Sequence, residues 1–201
     1  MINSNIRINY ISEYISAYES KIKLLNNEGL FDTAKLFELF ATEVGSLYFG
    51  QRLKNLNMEK FNYPTVDLIS EDKTFYVQVS TAKDIPIKIK YTLEKIKNSD
   101  NQNLKVIKRV VFFVLNNESI SNVNDFIDEN QIGNIPFAKN NDLITTADII
   151  SKAINDLDFQ IKLYELLQKE EQSVWNNLSK WKETIENSKV GLNSIDCKIN
   201  N

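Results

Sequence analysis

The segment Arg109–Leu115, with Val110–Leu115 unbroken apolar (Val-Val-Phe-Phe-Val-Leu), most constrains what this chain can fold into. A strand sends successive side chains to opposite faces of its sheet, so a run with no polar residue on either face requires cover above and below. Ahead of it stands Pro86, a favoured first-turn residue, and then Ile87–Lys97, which reads as a basic helix. A helix between two strands implies a right-handed crossover. The expected class is therefore α/β, a mixed sheet flanked by helices.

The segments before the crossover supply the rest of such a sheet. Ile8, Ile11, Ile15, Tyr18, Ile22 and Leu25 follow the three-four spacing of an amphipathic N-terminal helix that ends near Asn26, Asn27 and Gly29. Asp32 or Thr33 can cap a second helix to about Gly50, on which Leu36, Phe37, Phe40, Ala41, Val44, Leu47 and Tyr48 form an apolar arc of about 140°. Glu43 sits at one margin of that arc, and Glu38 lies beyond the other, next to Gly45. Leu53–Asn57 reads as a short strand. Thr65–Ile69 and Thr74–Thr81 read as two more, joined by the turn Ser70–Lys73 into a hairpin. If the turn is centred on Asp72–Lys73, paired residue numbers sum to 145, which sets Asp67 opposite Gln78 with Cβ atoms about 5 Å apart. A slip of one residue would send one of those side chains to the other face.

Beyond the apolar strand, Asn116–Asn141 is polar and weakly patterned, with a short helix expected at Val123–Glu129. Thr145–Asp156 reads as a helix. Thr146 has Ile149 three residues on, which leaves no full capping box, and Asp148 lies near the positive helix end. From Phe159 to Asn187 the stripe Leu163, Leu166, Leu167, Val174, Trp175, Leu178, Trp181, Ile185 predicts a long C-terminal helix, and Ser188–Asn201 a loose tail.

Histidine is absent from the chain. That removes Ser-His-Asp triads, Cys-His pairs, histidine-ligated zinc and the imidazole general base. A lone Cys197 removes an intrachain disulfide and a cysteine zinc cage. No apolar stretch approaches the roughly 18 residues of a membrane span and no export signal opens the chain, so a soluble, cytoplasmic protein is expected. An enzyme with this composition must work with carboxylates, lysines, hydroxyls and a hard metal ion held through oxygen. The net charge of −3 argues against a globally basic nucleic-acid binder. Between Thr81 and Arg109, however, eight basic residues face three acidic ones, so a local positive surface carrying Lys83, Lys88, Lys90 and Lys95 is expected.

Phosphodiester hydrolysis without histidine needs oxygen ligands for Mg²⁺ or Mn²⁺ and a cation to orient water or stabilise charge. Asp67 can bridge as a carboxylate ligand, Gln78 and the Val79 backbone carbonyl can add neutral oxygens, and Glu38 or Glu43 can reach in from the helix. Lys88, or Lys83, can approach the phosphate. Asp67 stands out because aspartate is unfavourable inside a strand between Val66 and Leu68.

The strings Phe49-Gly50-Gln51-Arg52-Leu53-Lys54-Asn55-Leu56-Asn57, Thr65-Val66-Asp67-Leu68, Val77-Gln78-Val79-Ser80 and Lys88-Ile89 together resemble the bacterial SMEK domain, over roughly residues 20–116. In that family a helix with two acids five residues apart precedes a YG-x-L-x-NLN segment, a hairpin and a Lys-Ile helix start. The resemblance implies Glu38 and Glu43 as the helical acids, with Asp67, Gln78 and Lys88. It also implies a PD-(D/E)XK (restriction-endonuclease-like) core over 31–116; the sequence pattern sets that core inside a domain at 1–157, with a helix at 158–187 packed on or extending from it and a tail at 188–201. The activity implied is Mg²⁺-dependent cleavage of DNA in bacterial restriction or phage defence, with terminal helices available for a homodimer or a larger complex. One departure from the superfamily pattern stands out: Gln78 takes the usual acid's place and Ser80 the usual lysine's. That departure keeps open an inactive module that binds nucleic acid or a partner protein.

Overall fold

A computed structural model describes residues 3–28, 33–59, 65–82, 84–98, 107–115, 135 and 137–172. Its elements are α1 (Ser4–Asn27), α2 (Thr33–Phe49), β1 (Leu53–Asn55), α3 (Leu56–Glu59), β2 (Leu68–Ser70), β3 (Tyr76–Ser80), α4 (Ile85–Lys97), β4 (Val110–Val114), α5 (Lys139–Asp142), β5 (Leu143–Thr145) and α6 (Thr146–Asn155). A further helix, α7, covers 157–172. The chain divides into two compact units, Met1–Leu163 and Tyr164–Asn201. In the second, the described residues are the end of α7, where the Gln168 amide donates to the Tyr164 hydroxyl. The helix expected at Val123–Glu129, both tryptophans and the tail lie outside the described residues.

The five strands form one mixed sheet in the order β1-β2-β3-β4-β5, antiparallel across β1-β2-β3 and parallel across β3-β4-β5. All five residues of β4 are buried, as a central strand in a two-sided sheet demands. Its alternation divides the core. Val110, Phe112 and Val114 pack with Ile85, Ile89, Leu93 and Ile96 of α4 on one face. On the other, Phe113 meets Phe37 of α2 with ring centroids 5.9 Å apart. The crossover β3–α4–β4 is the one the apolar run predicts.

α1 buries a stripe of Arg7, Ile11, Ile15, Glu19 and Ile22. Its two charged members have specific partners: the Arg7 guanidinium donates to the Gln160 carbonyl at 3.0 Å, and Glu19 forms an ion pair with Lys23 at 2.6 Å and accepts from the Thr146 hydroxyl. Such pairing is what allows charge to be buried, and it fixes α1 against the start of α6.

Three local expectations are corrected. Leu53–Asn57 ends as a strand at Asn55 and continues as the turn of α3. β5 lies between the polar stretch Asn116–Asn141 and the helix expected from Thr145, where no strand was expected, because three residues are too few to show a period of two. The helix after it is capped by Thr145, one residue earlier than Thr146. The Thr145 side chain accepts from the Asp148 backbone and the Asp148 carboxylate answers to Thr145, so the capping box is complete.

Candidate active site

β1 and β3 run the same way on either side of β2, so the C-terminal ends of both, the N-terminal end of β2 and the start of α4 come to one edge of the sheet. Open α/β sheets gather ligands at the carboxyl ends of their parallel strands, where loops and helix N-termini converge. A cleft of about 380 Å³ opens here, and Glu38, Asp67, Gln78, Val79, Ser80 and Lys88 are among its lining residues.

The hairpin fixes the first half of the cleft. Leu68 pairs with Val77 and Ile69 with Tyr76, the register in which numbers sum to 145. Asp67 lies one residue beyond that ladder, and its backbone N–H donates to the Val77 carbonyl at 2.9 Å. Two residues of one strand thus address one residue of the other, as in a bulge, which re-aims a side chain at the end of a ladder. The Asp67 Oδ2 atom accepts from the Val79 backbone N–H at 2.7 Å and from Gln78 Nε2 at 2.5 Å. Gln78 Nε2 also donates to the Val79 carbonyl at 2.9 Å. Gln78 lies beside Phe112 on the face α4 covers, and it is buried. Asp67 and Gln78 therefore meet, as the sequence predicts, through a re-aimed carboxylate rather than as a regular cross-strand pair.

Helix α2 supplies the second carboxylate. Its buried residues are Phe37, Ala41, Val44 and Gly45, while Leu36 is exposed, so the docked face is turned roughly 50° from the arc the apolar residues define. Gly45 lies on the turned face, where a Cβ would stand 2.9 Å from Leu53 Cδ1, so the glycine gives the buried Leu53 side chain of β1 room on that side. The rotation brings Glu38 to the cleft. Glu43, five residues on and so about 140° around the helix, is exposed and faces a separate groove with Ser46, Lys54 and Lys152.

Asn55 and Asn57, which the sequence reading did not single out as site residues, tie the two carboxylates together. Asn57 Nδ2 donates to Glu38 Oε2 at 3.1 Å and to Asp67 Oδ1 at 3.4 Å, and Asn55 Nδ2 approaches Glu38 Oε2 at 3.4 Å. Asn55 Oδ1 in turn accepts the Asn57 backbone N–H at 2.9 Å, which holds the pair in place. The signal was present in Asn55-Leu56-Asn57: two side-chain amides flanking one buried leucine at a strand end are poor strand formers and good local clamps.

Burial pushes the Asp67 carboxyl from 3.8 up to about 6, and the Glu38 charge adds to that rise; the Val79 N–H, the Lys88 charge and Asn57 oppose it. The rise is chiefly the cost of holding the Asp67 charge out of water, with the nearby Glu38 charge adding to it. Lys88, half-buried one turn into α4, is the cation that lines the cleft among the described residues. Lys90 and Lys95 are exposed on the same helix, Lys90 at 3.9 Å from Glu94 and Lys95 with its Nζ 5.8 Å from the Tyr91 ring centroid. Lys83 lies outside the described residues.

Among the described residues no three acidic, cysteine or histidine side chains gather as a metal cage. A cation here would be held by two carboxylates, Asp67 and Glu38, with neutral oxygens from Gln78 and Val79. No helix among the described residues is long and apolar enough to cross a membrane. No curated protein and no solved structure matches the chain. The SMEK domain model matches residues 10–154, which contain every element from most of α1 through nearly all of α6 and all of the cleft, and the chain thus belongs to the SMEK domain family.

Proposed function

We propose that this SMEK domain is a Mg²⁺- or Mn²⁺-dependent DNA endonuclease built on a PD-(D/E)XK-type core of α2, β1-β2-β3, α4 and β4. The observation that carries the reading is the convergence of Asp67 and Glu38, joined through Asn57, beside the Val79 carbonyl and Lys88 in one cleft. The donor chemistry fits a hard cation, since every available ligand is oxygen, and a divalent ion would stabilise the Asp67 charge that burial penalises and the Glu38 charge beside it. When bound, the ion would supply Lewis acidity toward the phosphate and ease ionisation of water.

The chain's own groups would do the rest. Asp67 and Glu38 anchor the ion, and the bulge and the asparagine clamp hold their oxygens in fixed positions. The Lys88 ammonium, arriving from α4 rather than from β3 where Ser80 stands, orients the attacking water or steadies phosphate charge. Lys90 and Lys95 extend positive charge along the exposed flank of α4 toward a nucleic-acid backbone. The SMEK resemblance supplies the setting, a bacterial restriction or phage-defence system.

A second reading, an inactive module on the same fold that binds nucleic acid or a partner protein, is favoured by one observation: side-chain amides of Asn55, Asn57 and Gln78 already hydrogen-bond both carboxylates. Incubating supercoiled plasmid with the purified protein and Mg²⁺ or Mn²⁺ separates the two. Nicking that Asp67→Ala abolishes supports the endonuclease. A folded protein that neither nicks DNA nor binds the ion overturns it in favour of the inactive module.

A further inference from the structure

The amide of Gln78 sits at the point where the cleft's ligand oxygens meet. Its Nε2 donates to Asp67 Oδ2 at 2.5 Å and to the Val79 carbonyl at 2.9 Å. The orientation is set by chemistry: a backbone carbonyl has no proton to give, so Oε1 in this position would face it lone pair to lone pair, whereas the NH₂ group has two protons for two acceptors. These acceptors are also the oxygens a divalent ion would take. A cation seated where Nε2 now lies, between Asp67 Oδ2 and the Val79 carbonyl, would displace the NH₂ group, because the positive end of the amide dipole would point at the ion.

We infer that Gln78 is a reversible placeholder: its NH₂ group holds Asp67 and Val79 together, and rotation of the amide delivers Oε1 as a ligand to a divalent cation that takes the NH₂ group's place. The inference rests on the metal-dependent reading and states how its metal site is regulated. The rotation is about the terminal torsion of glutamine, which is broad and roughly two-fold, so the switch needs no movement of β3. A glutamate at 78 could serve only as the ligand. Ionised, it has no donor, and beside Asp67 and Glu38 it would add a third carboxylate to a buried cluster. Glutamine thus gives a site that folds without the ion, at the cost of affinity for it. The ion alone then binds with modest affinity, and phosphate oxygens of a bound nucleic acid raise that affinity as additional ligands.

The test uses the full chain with Mg²⁺ and no nucleic acid. In ¹⁵N-labelled protein, the Gln78 side-chain NH₂ signals, assigned by their disappearance in Gln78→Glu, are expected to shift and to lose protection from solvent exchange as Mg²⁺ is added. Gln78→Glu is expected to bind Mg²⁺ at least tenfold more tightly by calorimetry, to melt below wild type in EDTA and to recover when Mg²⁺ is restored. If Mg²⁺ binds while the Gln78 signals stay fixed and Gln78→Glu binds no more tightly, the placeholder is overturned and the metal-dependent reading survives. If neither protein binds Mg²⁺, that reading falls and the placeholder with it. Should Gln78→Glu fail to fold in EDTA, the wild-type NH₂ signals, assigned instead by triple-resonance spectra, decide.

Discussion

Replacing Asp67 by Asn should make the protein more stable near neutral pH while destroying the site. Folding moves the Asp67 carboxyl from 3.8 to about 6, with burial the largest cause. Below about pH 4 the group is protonated in both folded and unfolded chains and contributes no penalty. Between 4 and 6 the folded state holds its proton more tightly than the unfolded state, so stability from this group falls as pH rises. Above about 6 the full penalty is present, about 3 kcal/mol at roughly 1.4 kcal/mol per pH unit. Asparagine keeps an oxygen for the Val79 N–H and the Gln78 amide but carries no charge, so Asp67→Asn should recover much of that penalty. At about 2–4 °C per kcal/mol for a chain of this size, the melting temperature at pH 8 should rise by up to about 10 °C. Thermal melts of both proteins from pH 4 to 8 in EDTA provide the measurement. The expected pattern is convergence of the two curves near pH 4 and divergence through pH 6. An Asp67→Asn protein that melts lower at pH 8, with the wild-type pH slope intact, would refute the claim that Asp67 is a destabilised carboxylate held for function.

Three further outcomes can be measured. Asn57→Ala releases both Glu38 and Asp67, and plasmid nicking at saturating Mg²⁺ should fall about ten- to a hundredfold with little change in melting temperature, as for other groups that orient ligands. Gly45→Val places a branched side chain where even a Cβ lies 2.9 Å from Leu53 Cδ1, and urea unfolding should show a loss of about 1–3 kcal/mol; Gly45→Ala should lose less, since alanine gains about 1 kcal/mol of helix propensity. Thr145→Ala removes half of the α6 capping box and should cost about 1 kcal/mol by the same assay, while Thr145→Asn should cost less.

The sequence by itself determined the parts that depend on near neighbours. An apolar run with no polar face requires a central strand, Pro86 after a strand starts a helix, and the turn at Asp72–Lys73 sets the hairpin register whatever the rest of the chain does. Those three were legible because strand period, helix start and turn geometry are local. The choice between Glu38 and Glu43 was not. Both flank the same apolar arc, and which of them reaches the cleft depends on the face α2 docks against other elements, where Gly45 lies against Leu53 of β1. The clamp is similar in kind, since Asn55 and Asn57 acquire their role only when α2 places a carboxylate over them. β5 and its shift of the α6 cap to Thr145 also waited for the tertiary structure, because three residues become a strand only when β4 offers an edge to pair with. Asp67 spans both levels. Its misfit between Val66 and Leu68 marked it in the sequence, but the bulge that turns its carboxylate onto the Val79 N–H and the Gln78 amide exists only once β2 and β3 are paired.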